Sequence, residues 1–221
     1  MLPVASTLVA CGEEAMMRRL SRVCACVLAA GGSRRMGECK LLMPFAGSTL
    51  LERALEAAAG CAAEGVVAVT GAYADEMAPV VRRMGAREVR NPSWARGQAS
   101  SVRAAVLHAA CEGFDAVMLM VADQPFVTRS HLDALLRGRD GERAWACLSA
   151  AGGRSGNPCL FDKRCFPALL ELQGDEGARS LFRRHSGIPV RCVHFEDARL
   201  FEDVDTPEDL ARLEGAVAHA R

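Results

Sequence analysis

Residues 23–29, Val-Cys-Ala-Cys-Val-Leu-Ala, form an unbroken apolar run that stops at Gly31-Gly32. A strand with one wet face alternates polar and apolar residues. This run does not alternate, so it is expected to be buried on both faces, as in a parallel sheet covered by helices.

The pattern downstream agrees. Leu50, Leu51, Ala54, Leu55 and Ala58 recur at helical spacing, and Ser48 or Thr49 can cap that helix. Val66 to Thr70 reads as a second strand. A helix is expected near Pro79 to Met84, with Pro79 in its first turn and Gly85 as its stop. Glu88 to Arg90 is a weak third strand, and Gly97 to Ala110 a helix that begins from a loop. Ala116 to Val121 is the strongest strand signal. Thr128 can cap a helix that ends near Gly138. Trp145 to Ala150 and Cys159 to Phe161 read as strands around a Gly-rich loop, Gly152 to Gly156. Short helices at Phe166 to Leu172 and Gly177 to Arg184, a strand at Val190 to Phe195, and a helix capped by Thr206 with Pro207 in its first position complete the chain. Strands alternating with helices predict a three-layer α/β/α sandwich around a mostly parallel, Rossmann-like sheet. Ligands in such sheets sit beyond the carboxyl ends of the strands.

At 221 residues, with 50% apolar and 24% charged residues, one domain over 21–221 is expected. Residues 1–20 read as a disordered extension or as a start placed upstream of Met16 or Met17. Leu8-Val9-Ala10-Cys11 resembles a lipoprotein cleavage box, but no Lys or Arg precedes it and the apolar stretch is short. No apolar run is long enough to span a membrane. Lys+Arg and Asp+Glu are both 27, and aromatics are 5%, which argues against nucleic-acid binding. Ten cysteines form no Cys-x-x-Cys and no zinc spacing; they read as small buried hydrophobes of a cytoplasmic protein. The five histidines fall in no metal or triad pattern.

The first strand runs into Leu28-Ala29-Ala30-Gly31-Gly32-Ser33-Arg34-Arg35-Met36-Gly37-Glu38-Cys39-Lys40. Glycines let backbone N–H groups approach phosphate oxygens, and Arg35 and Lys40 bring charge suited to a polyphosphate. The dinucleotide fingerprint G-x-G-x-x-G is absent, which disfavours an NAD-binding oxidoreductase. Glu38 stands where a P-loop needs Lys. An ordinary βα turn with solvated arginines remains the plain alternative.

The string from Leu28 to Pro44, L-A-A-G-G-S-R-R-M-G-x-x-K-L-L-x-P, resembles the signature of the nucleotidyltransferase family that matures the molybdenum cofactor. Its relatives include cytidylyltransferases of isoprenoid and sugar synthesis. Further matches follow in order: Asn91-Pro92-x-Trp94-x-x-Gly97-x-x-x-Ser101, Val121-Ala122-Asp123-Gln124-Pro125, Gly156-Asn157-Pro158, Gly174-Asp175-x-Gly177-Ala178-Arg179 and Asp203-Val204-Asp205-Thr206-Pro207. The resemblance covers residues 23 to 214.

That resemblance implies the fold of the nucleotide-diphospho-sugar transferases and a Mg²⁺-dependent reaction. The phosphate of molybdopterin attacks the α-phosphorus of CTP, and pyrophosphate leaves. Arg35, Lys40 and Asp123 are the implied catalytic residues. Leu28, Ala29, Ala30, Gly31, Gly32, Ser33, Arg35, Lys40, Asn91, Gly97 and Ser101 would bind the nucleotide. Asn157, Asp175, Arg179 and Asp203 would bind the acceptor, and Asp123 and Asp205 would hold Mg²⁺. A carboxylate at a strand end suits that hard cation. Asp123 also fits a turn cap, Asp205 and Ser101 also fit helix caps, and Asp175 with Arg179 also fits a surface ion pair on one helix face. Ala29-Ala30-Gly31 resembles cytidylyltransferases, whereas guanylyltransferases of the group carry A-G-G, so CTP is expected over GTP. Asn157 departs from the usual His, which opens the acceptor to question: a sugar or polyol phosphate is the alternative. A non-catalytic carrier that delivers the cofactor to a molybdenum hydroxylase apoenzyme is a third reading.

Overall fold

The computed structural model describes residues 22–139 and 143–218. The N-terminal stretch with Cys11, Met16 and Met17, and His219, lie outside them. In chain order the elements are β1 (Val23–Ala29), β2 (Pro44–Phe45), β3 (Ser48–Thr49), α1 (Leu50–Gly60), β4 (Gly65–Thr70), α2 (Ala74–Arg83), β5 (Arg87–Arg90), α3 (Gln98–Cys111), β6 (Ala116–Val121), α4 (Arg129–Gly138), β7 (Ala146–Ala151), β8 (Arg154–Asp162), α5 (Phe166–Leu170), α6 (Leu181–Arg184), β9 (Val190–His194) and α7 (Pro207–Ala218).

The main sheet has the order β5-β4-β1-β6-β8-β7-β9. Every neighbouring pair is parallel except those made by β8, which runs antiparallel to β6 and β7. The period-two geometry of β1 explains its composition. Ala25 and Val27 point into a core with Leu50, Leu51 and Leu55 of α1, Met77 of α2 and Leu132 of α4. Cys24 and Cys26 point into the opposite core, with Val102 and Val106 of α3 and Leu169 of α5. Both faces are therefore covered, and the strand is apolar throughout. The chain leaves β1 toward β4 and β5, then returns to β6 on the other side. The turn after β1 thus opens at the point where the strand order reverses, where α/β sheets hold ligands.

Local signals explain the helix starts. Thr49 Oγ1 accepts from the Glu52 N–H at 3.2 Å, and Glu52 Oε2 accepts from the Thr49 N–H at 2.8 Å, a reciprocal cap on α1. Asp209 N–H donates to Thr206 Oγ1 at 3.2 Å, and Pro207 opens α7.

Four expectations need correction. Helix α2 begins at Ala74, so Pro79 lies inside it; Pro79 is on the solvent side, where water can satisfy the carbonyl it leaves unpaired. The Gly152–Gly156 loop is only a two-residue turn, Gly152-Gly153, both with positive φ, and Gly156 and Asn157 belong to β8. Asp175 lies in a turn and Arg179 in a short 3₁₀ segment, so they share no helix face. Cys24, Cys26, Cys61, Cys147, Cys159 and Cys165 are buried as expected, but Cys111 and Cys192 are exposed.

Candidate active site

The carboxyl ends of β1 and β6 and the segment before α7 converge. Asp123 lies two residues beyond β6. Its carbonyl accepts from the Val204 N–H at 2.9 Å, which brings Asp205 alongside. Lys40 fills the junction. Its ammonium donates to Asp123 Oδ2 at 2.7 Å, to the Val204 carbonyl at 2.7 Å and to Asp205 Oδ1 at 2.9 Å. Burial pulls the Lys40 pKa down, but Asp123 and Asp205 outweigh it and leave the pKa raised. Arg35 approaches the other oxygen of Asp205 at 3.4 Å and is 69% exposed, free to turn toward a ligand.

These contacts bear on the cap alternatives for Asp205 and Asp123. Asp205 faces Lys40 and Arg35, and the α7 cap falls to Thr206 with Asp209. The Asp123 carboxylate accepts from Lys40 across the sheet rather than from its own turn. All three donors of the Lys40 ammonium are engaged by protein oxygens, which draws the two carboxylates together.

A cleft of about 530 Å³ opens over the turn. It is lined by Leu28, Ala29, Ala30, Gly31, Gly32, Ser33, Arg35 and Lys40 on one wall, and by Trp94, Gly97, Gln98, Ser101 and Asp175 on the other. Ser33 Oγ accepts from the Lys40 N–H at 3.1 Å, which closes the turn on itself. A side chain at Gly32 would come within 3.0 Å of the Trp94 ring, so Trp94 backs the glycines. Gly97, with φ of +99°, lies against the Gly174-Asp175 turn. That contact carries Asp175 into this cleft.

Asn91 is the one expected nucleotide contact that the cleft does not expose. It is buried; its Nδ2 donates to Ser100 Oγ at 2.8 Å and Ser101 Oγ at 3.0 Å, and its Oδ1 accepts from the Ser93 N–H at 3.0 Å. It fixes the Ser101 hydroxyl and the loop that carries Trp94.

A second cleft, of about 270 Å³, adjoins the first. Asn157, Arg179 and Asp203 line it, with Arg154, Gly156 and Phe201. Asp203 Oδ1 accepts from Gln124 Nε2 at 2.9 Å; burial and then the charge of Asp123 push the Asp203 carboxyl up. Arg179 donates through Nη1 to the Ser155 carbonyl. Asp123, Asp205, Val121 and Gln98 belong to both clefts, so the two meet at the carboxylates. Sequence reasoning missed Gln98 and the direct part of Gln124. Gln124 sits inside a matched motif, but nothing in the sequence marks Gln98 as lying where the clefts meet.

Among the described residues no group of three or more His, Cys, Asp or Glu converges on a metal position. Mg²⁺ does not need one: it is commonly held by one or two carboxylates together with substrate phosphates. Asp123 and Asp205 fit that donor set, since both already bind one cationic nitrogen. No helix among the described residues is long and apolar enough to cross a membrane.

A reversed-order α/β sheet with a glycine turn, cations and paired carboxylates at its switch point is the architecture of a nucleotidyltransferase. Residues 25–188 match the MobA-like NTP transferase domain, and the chain belongs to that family. It is 30% identical over 199 residues to the purine catabolism protein PucB of Bacillus subtilis, covering 86% of this chain and 95% of that one. It is 32% identical to the nicotine blue oxidoreductase of Paenarthrobacter nicotinovorans, over 85% and 94% of the two chains. With the molybdenum cofactor cytidylyltransferase of Escherichia coli it shares 26% identity over 86% and 94%. Among solved structures, the Mycobacterium sp. strain JC1 homologue of Mycobacterium tuberculosis Rv0371c superposes with a TM-score of 0.75 at 30% identity, covering 90% and 98%. Rv0371c itself, solved in complex with manganese, gives 0.71 at 25% identity, over 89% and 100%.

Proposed function

We propose that this chain transfers CMP from CTP to the phosphate of molybdopterin, with Mg²⁺, and releases pyrophosphate. The observation that carries the reading is the junction of two clefts at Asp123 and Asp205. A transfer between two substrates needs them to meet at one charged centre, whereas a carrier needs one pocket only.

The chemistry is positioning and charge neutralisation. An oxygen of the acceptor phosphate bonds to the α-phosphorus, and the bond from that phosphorus to the β-phosphate oxygen breaks. No enzyme nucleophile is required. The backbone of Gly31, Gly32 and Ser33 lies along the triphosphate, and Arg35 forks onto its oxygens. Asp123 and Asp205 would hold Mg²⁺, which when bound neutralises charge on the phosphates. Lys40 keeps these two carboxylates together and reaches a phosphate by releasing one of its three acceptors, Asp123, Asp205 or the Val204 carbonyl. Ala29, Ala30, Gly97 and Ser101 surround the base and ribose, and the absence of a glycine at position 30 supports CTP over GTP. Asn157, Arg179 and Asp203 face the acceptor. Asn157 keeps one donor and one acceptor but carries no charge near neutral pH. The product is of the kind that a cytoplasmic molybdenum hydroxylase apoenzyme would receive.

The Escherichia coli relative, by its name, supports this acceptor and this nucleotide. The oxidoreductase relative, also by its name, marks a different activity on a similar chain, so the assay must include a redox arm. Pyrophosphate release is measured with Mg²⁺ from CTP, GTP, ATP and UTP, with and without molybdopterin, beside NADH and NADPH oxidation. CTP- and pterin-dependent release that falls by about 10²–10³ in Asp123→Ala is the expected result. Nicotinamide oxidation without pyrophosphate release would overturn the proposal.

A further inference from the structure

Beyond Arg179 the acceptor cleft continues into a groove of about 570 Å³ that borders β9. Gln98, Ser155, Gly177 and Arg179 line both spaces, so they form one continuous path. The groove differs from the clefts in charge. Asp123, Asp203 and Asp205 crowd the junction, whereas no carboxylate lines the groove and Arg179 and Arg183 both do.

Both guanidinium groups are held but not neutralised. Arg179 donates to the Ser155 carbonyl, and Arg183 Nη2 donates to Ser180 Oγ at 3.0 Å. Neither pairs with a carboxylate among the described residues. Their neighbour Arg184, by contrast, is bonded by both oxygens of Glu176 at 2.8 and 2.9 Å. Leu148, Phe182 and Val190, the last exposed although hydrophobic, give the groove an apolar wall, and Gln98, Ser155 and Ser180 add polar groups. An apolar wall beside two uncompensated arginines suits a flat body that carries negative charge.

We propose that this groove is a second subsite for the acceptor and takes the part of the molecule remote from the reacting phosphate. The occupant is a flat heteroaromatic body bearing an anionic group, and this rests on the molybdopterin reading above. Size supports the assignment. The acceptor cleft alone falls below the usual range for a ligand pocket, and with the groove it lies within it. The proposal also explains why Arg179 sits on the border of the two spaces, where it can serve either end of one ligand.

Steady-state kinetics on the full chain with CTP, Mg²⁺ and molybdopterin test it. Arg183→Ala is expected to raise the KM for molybdopterin about tenfold, the size of one charge-assisted contact, with KM for CTP held. Arg183→Lys restores part of the loss. Val190→Glu, which places a carboxylate in the groove, raises the same KM, and Val190→Gln raises it less. Calorimetric titration of molybdopterin in the absence of CTP should show the same order of affinities. A wild-type chain that turns over molybdopterin while these variants leave its KM unchanged overturns the subsite alone. A wild-type chain that neither binds nor turns over molybdopterin overturns the acceptor assignment and the subsite with it.

Discussion

Lys40→Met removes an ammonium and keeps the length of the stem, so it isolates one charge. The side chain is 12% exposed and meets Asp123, 24% exposed, and Asp205, 43% exposed. A hydrogen bond to a charged group is worth about 1.5–3 kcal/mol net. Water reaches Asp205 readily, so that contact is discounted toward the surface value of under about 1 kcal/mol. The sum lost is roughly 2 kcal/mol, or about 4–8 °C in Tm for a chain of this size. The pH dependence has a definite sign. Lys40 has its pKa raised on folding, so its contribution is complete below the unfolded value of about 10.4 and disappears only as pH climbs through the folded one. The difference between the proteins should therefore be constant from pH 7 to 9. Urea unfolding across that range measures it. Mg²⁺ supplies the missing positive charge and should raise the Tm of the variant more than that of the wild type. Equal urea midpoints at pH 7, with equal responses to Mg²⁺, would refute the idea that Lys40 holds the two carboxylates together.

Gly97→Ala places a methyl group 2.3 Å from the Gly174 carbonyl at a φ of +99°, so the Gly174-Asp175 turn must move. A loss of about 2–4 kcal/mol in urea unfolding and a higher KM for CTP are expected. Asp203 has its pKa raised in the fold, so ionising it costs stability as pH rises above the ordinary carboxylate range. Asp203→Asn keeps an acceptor for Gln124, and it should be more stable than the wild type at pH 7 and equal to it near pH 3. A variant less stable at pH 7 would contradict that sign.

The frame of the protein was legible where a local pattern had a single physical meaning. The non-alternating run at β1 required two covered faces, and both cores meet on it. Thr49 with Glu52 and Thr206 with Pro207 marked helix starts because capping needs those residue types at those spacings. Pro79 misled because a proline in a helix is penalised through its lost N–H, and the penalty is small on a wet face. Gly156 misled because glycine serves close packing as well as turns: a side chain there would meet the Phe201 ring at 2.5 Å.

At the site, residues of the turn after β1 and the two carboxylates were readable from their motifs, and they do come together. What the sequence did not carry was tertiary. Asn91 reads as a ligand contact but is buried among serine hydroxyls nine and ten residues away. Asp175 and Arg179 stand four apart in sequence and face different clefts, because a turn and a 3₁₀ segment separate their directions. The engagement of Lys40 by Asp123 and Asp205 joins positions 83 and 165 residues apart, and no local spacing records that.

The most direct test is the mass of the pterin product after incubation with CTP, Mg²⁺ and the full chain. The account predicts molybdopterin that has gained one CMP, with one pyrophosphate released for each molecule formed, and no such product from Asp123→Ala. Unmodified molybdopterin recovered beside intact CTP would contradict it.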